Sequence, residues 1–231
     1  GDYDGDGDLD LVITGRDGSG NRTATIYRND GGGTFTDISA GLTGVQYGSS
    51  AWGDYDGDGD LDLVVTGVSG SGNNTAMIYE NQGGGTFSDI GAGVTGVSVG
   101  SSAWGDYDGD GDLDLVVAGA DAGNAETAMI YENQGGGTFS DIGAGLTGVH
   151  FSSSVWGDYD GDGDLDLVIT GFDGSTSTAT IYRNDSGSTF TDIGAGLTGV
   201  REGSSTWGDD EGDGDPDLVV VGDTNGSVTP G

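Results

Sequence analysis

The 231-residue chain sets 40 acidic residues against five basic ones, for a formal charge of −35, with 52 glycines, no cysteine and 32% hydrophobic residues. That charge excludes nucleic acid and anionic membrane surfaces as partners, because phosphate binding needs a basic face, and the basic residues are five scattered arginines at 16, 22, 28, 183 and 201. The absence of cysteine excludes disulfides and thiol chemistry, and no apolar run approaches the ~20 residues of a membrane-spanning helix.

In chain order, residue 1 is Gly rather than Met and the sequence opens inside a motif, which predicts a processed chain or a piece of a longer one. The motif is the nonapeptide Asp2-Tyr-Asp-Gly-Asp-Gly-Asp-Leu-Asp10, and it recurs intact at 54–62, 106–114 and 158–166, with a degenerate copy at 209–217. The starts are 52, 52, 52 and 51 residues apart, a period that points to a tandem array of the propeller kind. Glycines that recur at fixed places between strand-like runs argue against a disordered low-complexity chain.

Each repeat reads as four strands, and residues 49–97 serve as the type. Ser49–Asp54 is the first strand and leads into the acidic loop. Leu61–Thr66 is the second, nearly all apolar and ended by Gly67, as suits a strand buried on both faces. A variable turn, Val68–Asn74, leads to the third strand at Thr75–Glu80. Asn81–Gly85 has hairpin chemistry, Thr86–Ile90 is the fourth strand, and Gly91–Val97 links to the next repeat. Small four-stranded sheets cannot cover both faces alone, so they must stack on one another. Trp52, Trp104, Trp156 and Trp207, just before the loops, are expected to pack between adjacent sheets. So are Tyr27, Tyr79, Tyr131 and Tyr182, and Phe35, Phe87, Phe139 and Phe190. On this reading the 231 residues are one repeat domain, with repeats at approximately 1–48 (lacking a first strand), 49–100, 101–152, 153–203 and a partial 204–231.

The loop itself is built for a hard cation. Ca²⁺ takes six to eight oxygens at loosely constrained angles. In the second copy Asp54, Asp56, Asp58 and Asp62 offer carboxylates and Asp60 its backbone carbonyl, while Gly59 permits the sharp turn. Five carboxylates within nine residues repel one another without a cation. Each intact loop holds five acids and the fifth six, so 26 of the 40 acids sit in loops. An EF-hand is excluded, since it needs a bidentate Glu at loop position 12 and that position here is Val65.

The strings Trp-Gly-Asp-Tyr-Asp-Gly-Asp-Gly-Asp-Leu-Asp-Leu-Val and Ile-Tyr-(Arg/Glu)-Asn-x-Gly-Gly-Gly-Thr-Phe resemble the FG-GAP/VCBS repeats of integrin α-subunit heads, some fungal lectins and many bacterial surface proteins. The resemblance covers essentially the whole chain. It implies an all-β fold, a β-propeller of ~52-residue four-stranded blades with a Ca²⁺ loop between strands one and two, the alternative being an open stacked array of the same units. Carried over by position, the resemblance implies as ligands Asp2, Asp4, Asp6, Asp8 (carbonyl) and Asp10. In the third and fourth copies they are Asp106, Asp108, Asp110, Asp112 and Asp114, then Asp158, Asp160, Asp162, Asp164 and Asp166. The fifth copy offers Asp209, Glu211, Asp213, Asp215 and Asp217, with Glu211, Asp210 and Pro216 in place of Asp, Tyr and Leu, so weaker binding is expected there.

Function is less legible. The repeats differ from one another in the turn after strand two and in the pairs Gln46-Tyr47, Ser98-Val99, His150-Phe151 and Arg201-Glu202. Variable segments on a rigid scaffold are where binding usually resides. Asn21, Asn73, Asn184 and Asn225 open Asn-x-Ser/Thr acceptors. No catalytic residues are expected: His150 is the single histidine, and the carboxylate pairs are accounted for by metal ligation. The composition and the resemblance together imply a secreted or cell-surface calcium-binding propeller for adhesion, with a glycan or protein partner. The alternative is a structural subunit of an extracellular fibre, its partner copies of itself. A polysaccharide-active enzyme is a third reading.

Overall fold

The computed structural model describes residues 1–224. Among them the fold is all-β, with eighteen strands in antiparallel sheets and no helix. The first repeat contributes β1 (Leu11–Arg16), β2 (Arg22–Asn29) and β3 (Phe35–Asp37). After a short β4 (Val45–Gln46), the second holds β5 (Ser50–Gly53), β6 (Asp62–Ser69), β7 (Asn74–Asn81) and β8 (Phe87–Asp89). The third is β9 (Ser98–Gly105), β10 (Asp114–Ala120), β11 (Glu126–Asn133) and β12 (Phe139–Asp141). The fourth is β13 (His150–Gly157), β14 (Asp166–Phe172), β15 (Ser177–Asn184) and β16 (Phe190–Asp192), and the fifth is β17 (Arg201–Gly208) and β18 (Asp217–Asp223). Repeats two to four are thus four-stranded meanders; β4 joins the first and second repeats into one eight-stranded sheet, and single bridges such as Thr127↔Val149 tie the later links to the repeat before them. No barrel closes.

Two boundaries differ from the sequence reading. Strand two runs past Gly67 to Ser69, because Gly67 and Val68 still pair with Thr75 and Asn74. The first strands of the third, fourth and fifth repeats, in turn, start three residues before the position equivalent to Ser49, at Ser98, His150 and Arg201. The variable pairs at 98–99, 150–151 and 201–202 open the first strands, each at a register shift. The second residue of each pair, like Tyr47 in the second repeat, takes a left-handed backbone: Tyr47, Val99, Phe151 and Glu202 have φ of 54, 53, 51 and 52°. A bulge inserts one unpaired residue, and that residue must leave the extended region.

Alternation along strand two divides each sheet between its neighbours. Val64 faces the following repeat and packs with Ile78 against Leu115, Val117, Tyr131 and Phe139. Leu63 and Val65 face the preceding one, against Tyr3, Ile26 and Val45. All these strand-two residues are fully buried, and each such side chain is worth about 1.5–3 kcal/mol. The tryptophans complete the layer. Trp104 stacks on Tyr55 of the preceding repeat at 6.2 Å and 15°, meets Phe139 at 6.0 Å and donates Nε1–H to the Ala51 carbonyl at 3.2 Å. First strands of successive repeats pack directly on each other, close enough for a ladder of serine hydroxyls: Ser49 to Ser102 (3.2 Å), Ser101 to Ser154 (2.9 Å) and Ser153 to Ser205 (3.0 Å).

The opposite end of the strands from the acidic loops holds a contact that differs at every interface. Arg22, opening β2, donates to the Ser69 carbonyl. The equivalent Asn74 donates Nδ2–H to the carbonyls of Ala120 (2.9 Å) and Asp121 (2.8 Å). The next equivalent, Glu126, sets Oε1 3.4 Å from His150 Nδ1, and at the last interface Arg201 lies over the Phe172 ring at 4.7 Å. At the two ends of the array the same apolar layers are uncovered. Leu9 is 70% exposed and Ile13 52% at one end, Val219 53% and Val221 57% at the other.

Candidate metal centres

Each loop is wrapped by its own carboxylates. In the second copy Gly57 and Gly59 take φ of 72 and 96°, which turns the backbone N–H groups inward. Asp54 accepts from the N–H groups of Asp58 (3.1 Å) and Gly59 (3.0 Å), and Asp58 accepts from Asp60 (2.9 Å). Asp62 anchors the loop to the sheet: Oδ2 accepts from Tyr55 N–H at 3.0 Å and Oδ1 from Asn81 N–H at 2.8 Å. The same pattern holds for Asp10, Asp114 and Asp166. One oxygen from each of three carboxylates gathers within 4.8 Å in every intact loop: Asp2, Asp4 and Asp6; Asp54, Asp56 and Asp58; Asp106, Asp108 and Asp114; Asp158, Asp160 and Asp166.

The expected ligands are therefore brought together in part. Loop positions 1 and 3 enter every cluster, position 5 enters the first two and position 9 the last two. The side chains of Asp8, Asp60, Asp112 and Asp164 stay outside them, in keeping with residues expected to offer a carbonyl. In the fifth loop Asp209 still accepts the N–H groups of Gly212, Asp213 and Gly214, yet among the described residues no such triad forms from Asp209, Glu211, Asp213, Asp215 and Asp217.

The donor set suits a hard cation. It is all oxygen and anionic, its angles are set by a flexible Gly-rich loop, and it offers no nitrogen or sulfur. Burial also strains the carboxylates while they lack a counter-charge. Desolvation pushes Asp62 and Asp114 up to about 7 against the pull of their two backbone N–H donors, and it raises Asp166, Asp56, Asp108 and Asp4. A folded-state pKa above the unfolded value of about 3.9 means that the folded chain binds the extra proton. That stabilisation is complete below the unfolded value and disappears as pH rises through the folded one. The metal-free chain is therefore expected to melt several degrees higher at pH 5 than at pH 8. Thermal scans in chelator at the two pH values check the order, and a higher melt at pH 8 contradicts it.

Three features escaped the sequence reading. Asn81, Asn133 and Asn184 read as turn residues, but each is buried and its side chain reaches into the preceding repeat's loop. Asn184, one of the Asn-x-Ser/Thr acceptors, is thereby sequestered, whereas Asn21 and Asn73 are exposed and Asn225 lies outside the described residues. Finally, the variable residues 22, 74 and 126 make inter-repeat contacts rather than drifting in solvent. A regularity was visible, since an Asn follows the third strand in each of the first four repeats; its partner, a backbone carbonyl 77 or 78 residues away, left no mark.

The model of the FG-GAP-like repeat matches the chain four times, over residues 2–65, 54–117, 106–169 and 158–220. Each match begins at an acidic loop. No curated protein matches the chain.

Proposed function

From a chain that belongs to the FG-GAP-like repeat family, with an oxygen-only carboxylate cluster in each of four repeats, we propose a calcium-binding β-propeller, secreted or displayed at the cell surface, that binds a glycan or protein partner in adhesion. The observation that carries the reading is the recurrence of one cluster at one place in four successive repeats, each closed by a buried carboxylate held to the sheet by two backbone N–H groups. In each of the first four loops the ligands would be the carboxylates at positions 1, 3, 5 and 9 and the carbonyl at position 7. The repeats are read as one domain, and Ca²⁺ at about 1 mM outside cells suits open loops of modest affinity.

The partner face is the end of the array away from the loops. Variation is concentrated there, and the left-handed bulge positions carry Tyr47, Val99, Phe151 and Glu202 where glycine would be relaxed. Non-glycine residues in that region cost about 1–3 kcal/mol and cluster at binding sites. Around them lie Phe172, Arg201 and His150, a mixed aromatic and charged surface. Calorimetric titration with Ca²⁺ is expected to give four sites, and a glycan and protein array probed in Ca²⁺ is expected to give a partner whose binding falls at least tenfold in a Tyr47→Ala, Phe151→Ala double variant. Stoichiometry below two would refute the metal assignment, and undiminished binding by the variant would refute the face.

A second reading, a subunit of an extracellular fibre, has one observation in its favour: the apolar faces at Leu9, Leu11 and Ile13 and at Val219 and Val221 are the two halves of an internal interface, fitted to a further repeat whether of the same chain or of a neighbouring copy. The chemistry that fits both is another repeat. Long regular filaments in negative stain would favour this reading over discrete particles.

A further inference from the structure

We propose that the calcium sites are coupled in series, with Asn81, Asn133 and Asn184 as the positioning residues that join each metal loop to the next. The proposal rests on the calcium reading above. Asn81 ends β7, and its backbone N–H donates to Oδ1 of Asp62, position 9 of its own loop, at 2.8 Å. Its side-chain Nδ2 donates to the carbonyl of Tyr3 at 2.8 Å and to that of Leu61 at 3.2 Å, and its Oδ1 accepts from Gly83 N–H at 3.1 Å. Tyr3 stands between Asp2 and Asp4 in the loop of the preceding repeat. Asn133 makes the same set, to Asp114 (2.8 Å), Tyr55 (2.7 Å) and Leu113 (3.2 Å), and Asn184 binds Asp166 (2.8 Å), Tyr107 (2.7 Å) and Leu165 (3.3 Å).

Because the tyrosine N–H itself donates to the position 9 carboxylate of its own loop, the bonds form one unbroken path. It runs Asp10, Tyr3, Asn81, Asp62, Tyr55, Asn133, Asp114, Tyr107, Asn184, Asp166. Each tyrosine ring also stacks on the next repeat's tryptophan, at 6.2, 6.2 and 6.4 Å. A metal that orders one loop fixes its tyrosine, and with it the asparagine that holds a ligand of the next loop. The second site then binds with less left to order, which is positive cooperativity by shared ordering cost. Linkage makes the coupling reciprocal.

Titration with Ca²⁺ alone, followed by the amide resonances of Gly59 and Gly111 as reporters of the second and third loops, tests the coupling. The intact chain is expected to bind with a Hill coefficient clearly above one. Asn133→Ala, which leaves all ligands of the second loop in place, is expected to weaken that site roughly 5- to 150-fold, the usual range of coupled sites, and to lower the Hill coefficient. Asn29 makes the equivalent local bonds to Asp10 and Leu9 and joins no second loop among the described residues, so Asn29→Ala is expected to leave cooperativity among the four loops intact. A further variant, Asp158→Ala with Asp160→Ala, silences the fourth loop and is expected to weaken the third through Asn184. Four independent sites in the intact chain, or an unmoved second site in Asn133→Ala, would overturn the coupling while leaving the calcium reading standing. Absence of any Ca²⁺ binding would overturn both.

Discussion

Stripping calcium from the chain is expected to lower its melting temperature by about 20–40 °C. With Kd near ~10⁻⁵ M and Ca²⁺ near ~1 mM, each of four sites stabilises the fold by about 2.7 kcal/mol. Their sum approaches the whole stability of an ordinary domain, and a chain of this length loses about 2–4 °C per kcal/mol. The structure gives the loss a physical route. Without the ion, Asp54, Asp56 and Asp58 face one another within 4.8 Å, and Tyr55, whose ring and carbonyl seat the third repeat, is held by the same loop. Circular dichroism in millimolar Ca²⁺ and again in chelator makes the comparison. A melt that does not move would show that the loops bind nothing of structural weight.

Gly105→Ala is expected to destabilise the fold by about 1–3 kcal/mol, the cost of forcing extra volume into a packed layer. A Cβ at residue 105 would lie 2.6 Å from Trp156 Cδ1 and 2.8 Å from its Cγ. The indole cannot give way, because it stacks on Tyr107 at 6.4 Å, meets Phe190 at 6.0 Å and donates to the Ala103 carbonyl at 3.3 Å. The chain carries its own control. Gly208 holds the equivalent place in the fifth repeat, and a Cβ there meets nothing within 4 Å, so Gly208→Ala is expected to stay within about 0.5 kcal/mol of the parent. Equal effects from the two substitutions, read by denaturant unfolding, would show that the inter-repeat indole is not the reason for the glycine.

What was legible in the sequence was what recurs as residue type. The acidic nonapeptide announced its own loop, and the apolar run at 63–65 announced a strand buried on both faces, which β6 is. The tryptophans fell where stacking requires them. The clustering of positions 1 and 3 in every loop follows from the glycine spacing, whereas the alternation between positions 5 and 9 depends on side-chain placement no motif encodes. Less visible were relations whose partner is a backbone carbonyl, as for Asn133 on Tyr55 or Asn74 on Ala120. A carbonyl is present at every residue and so carries no signature. The first strands were also misjudged at their start, because Ser98-Val99 and His150-Phe151 share no residue type. Their common property is a left-handed turn of the backbone.

The unlike contacts at Arg22, Asn74 and Glu126 have a consequence for how the chain assembles. Near-identical neighbours are hazardous during folding, since the second repeat's sheet could dock on the fourth as readily as on the third, and tandem proteins characteristically fail by such misassembly or by swapping. The apolar layer does not discriminate, being Leu, Val and Val at 63–65 and again at 115–117. Among the polar contacts, those of Arg22 and Asn74 end on backbone carbonyls that every junction offers, so the side-chain pair at Glu126 is the one that carries identity. Glu126 has His150 to meet at the correct junction, but the residue equivalent to His150 is Ser98 at one wrong junction and Arg201 at another. Glu126 would lose its imidazole at the first of these and gain a guanidinium at the second, so for a pair this exposed the edge that varies biases the order of the repeats by about 0–1 kcal/mol.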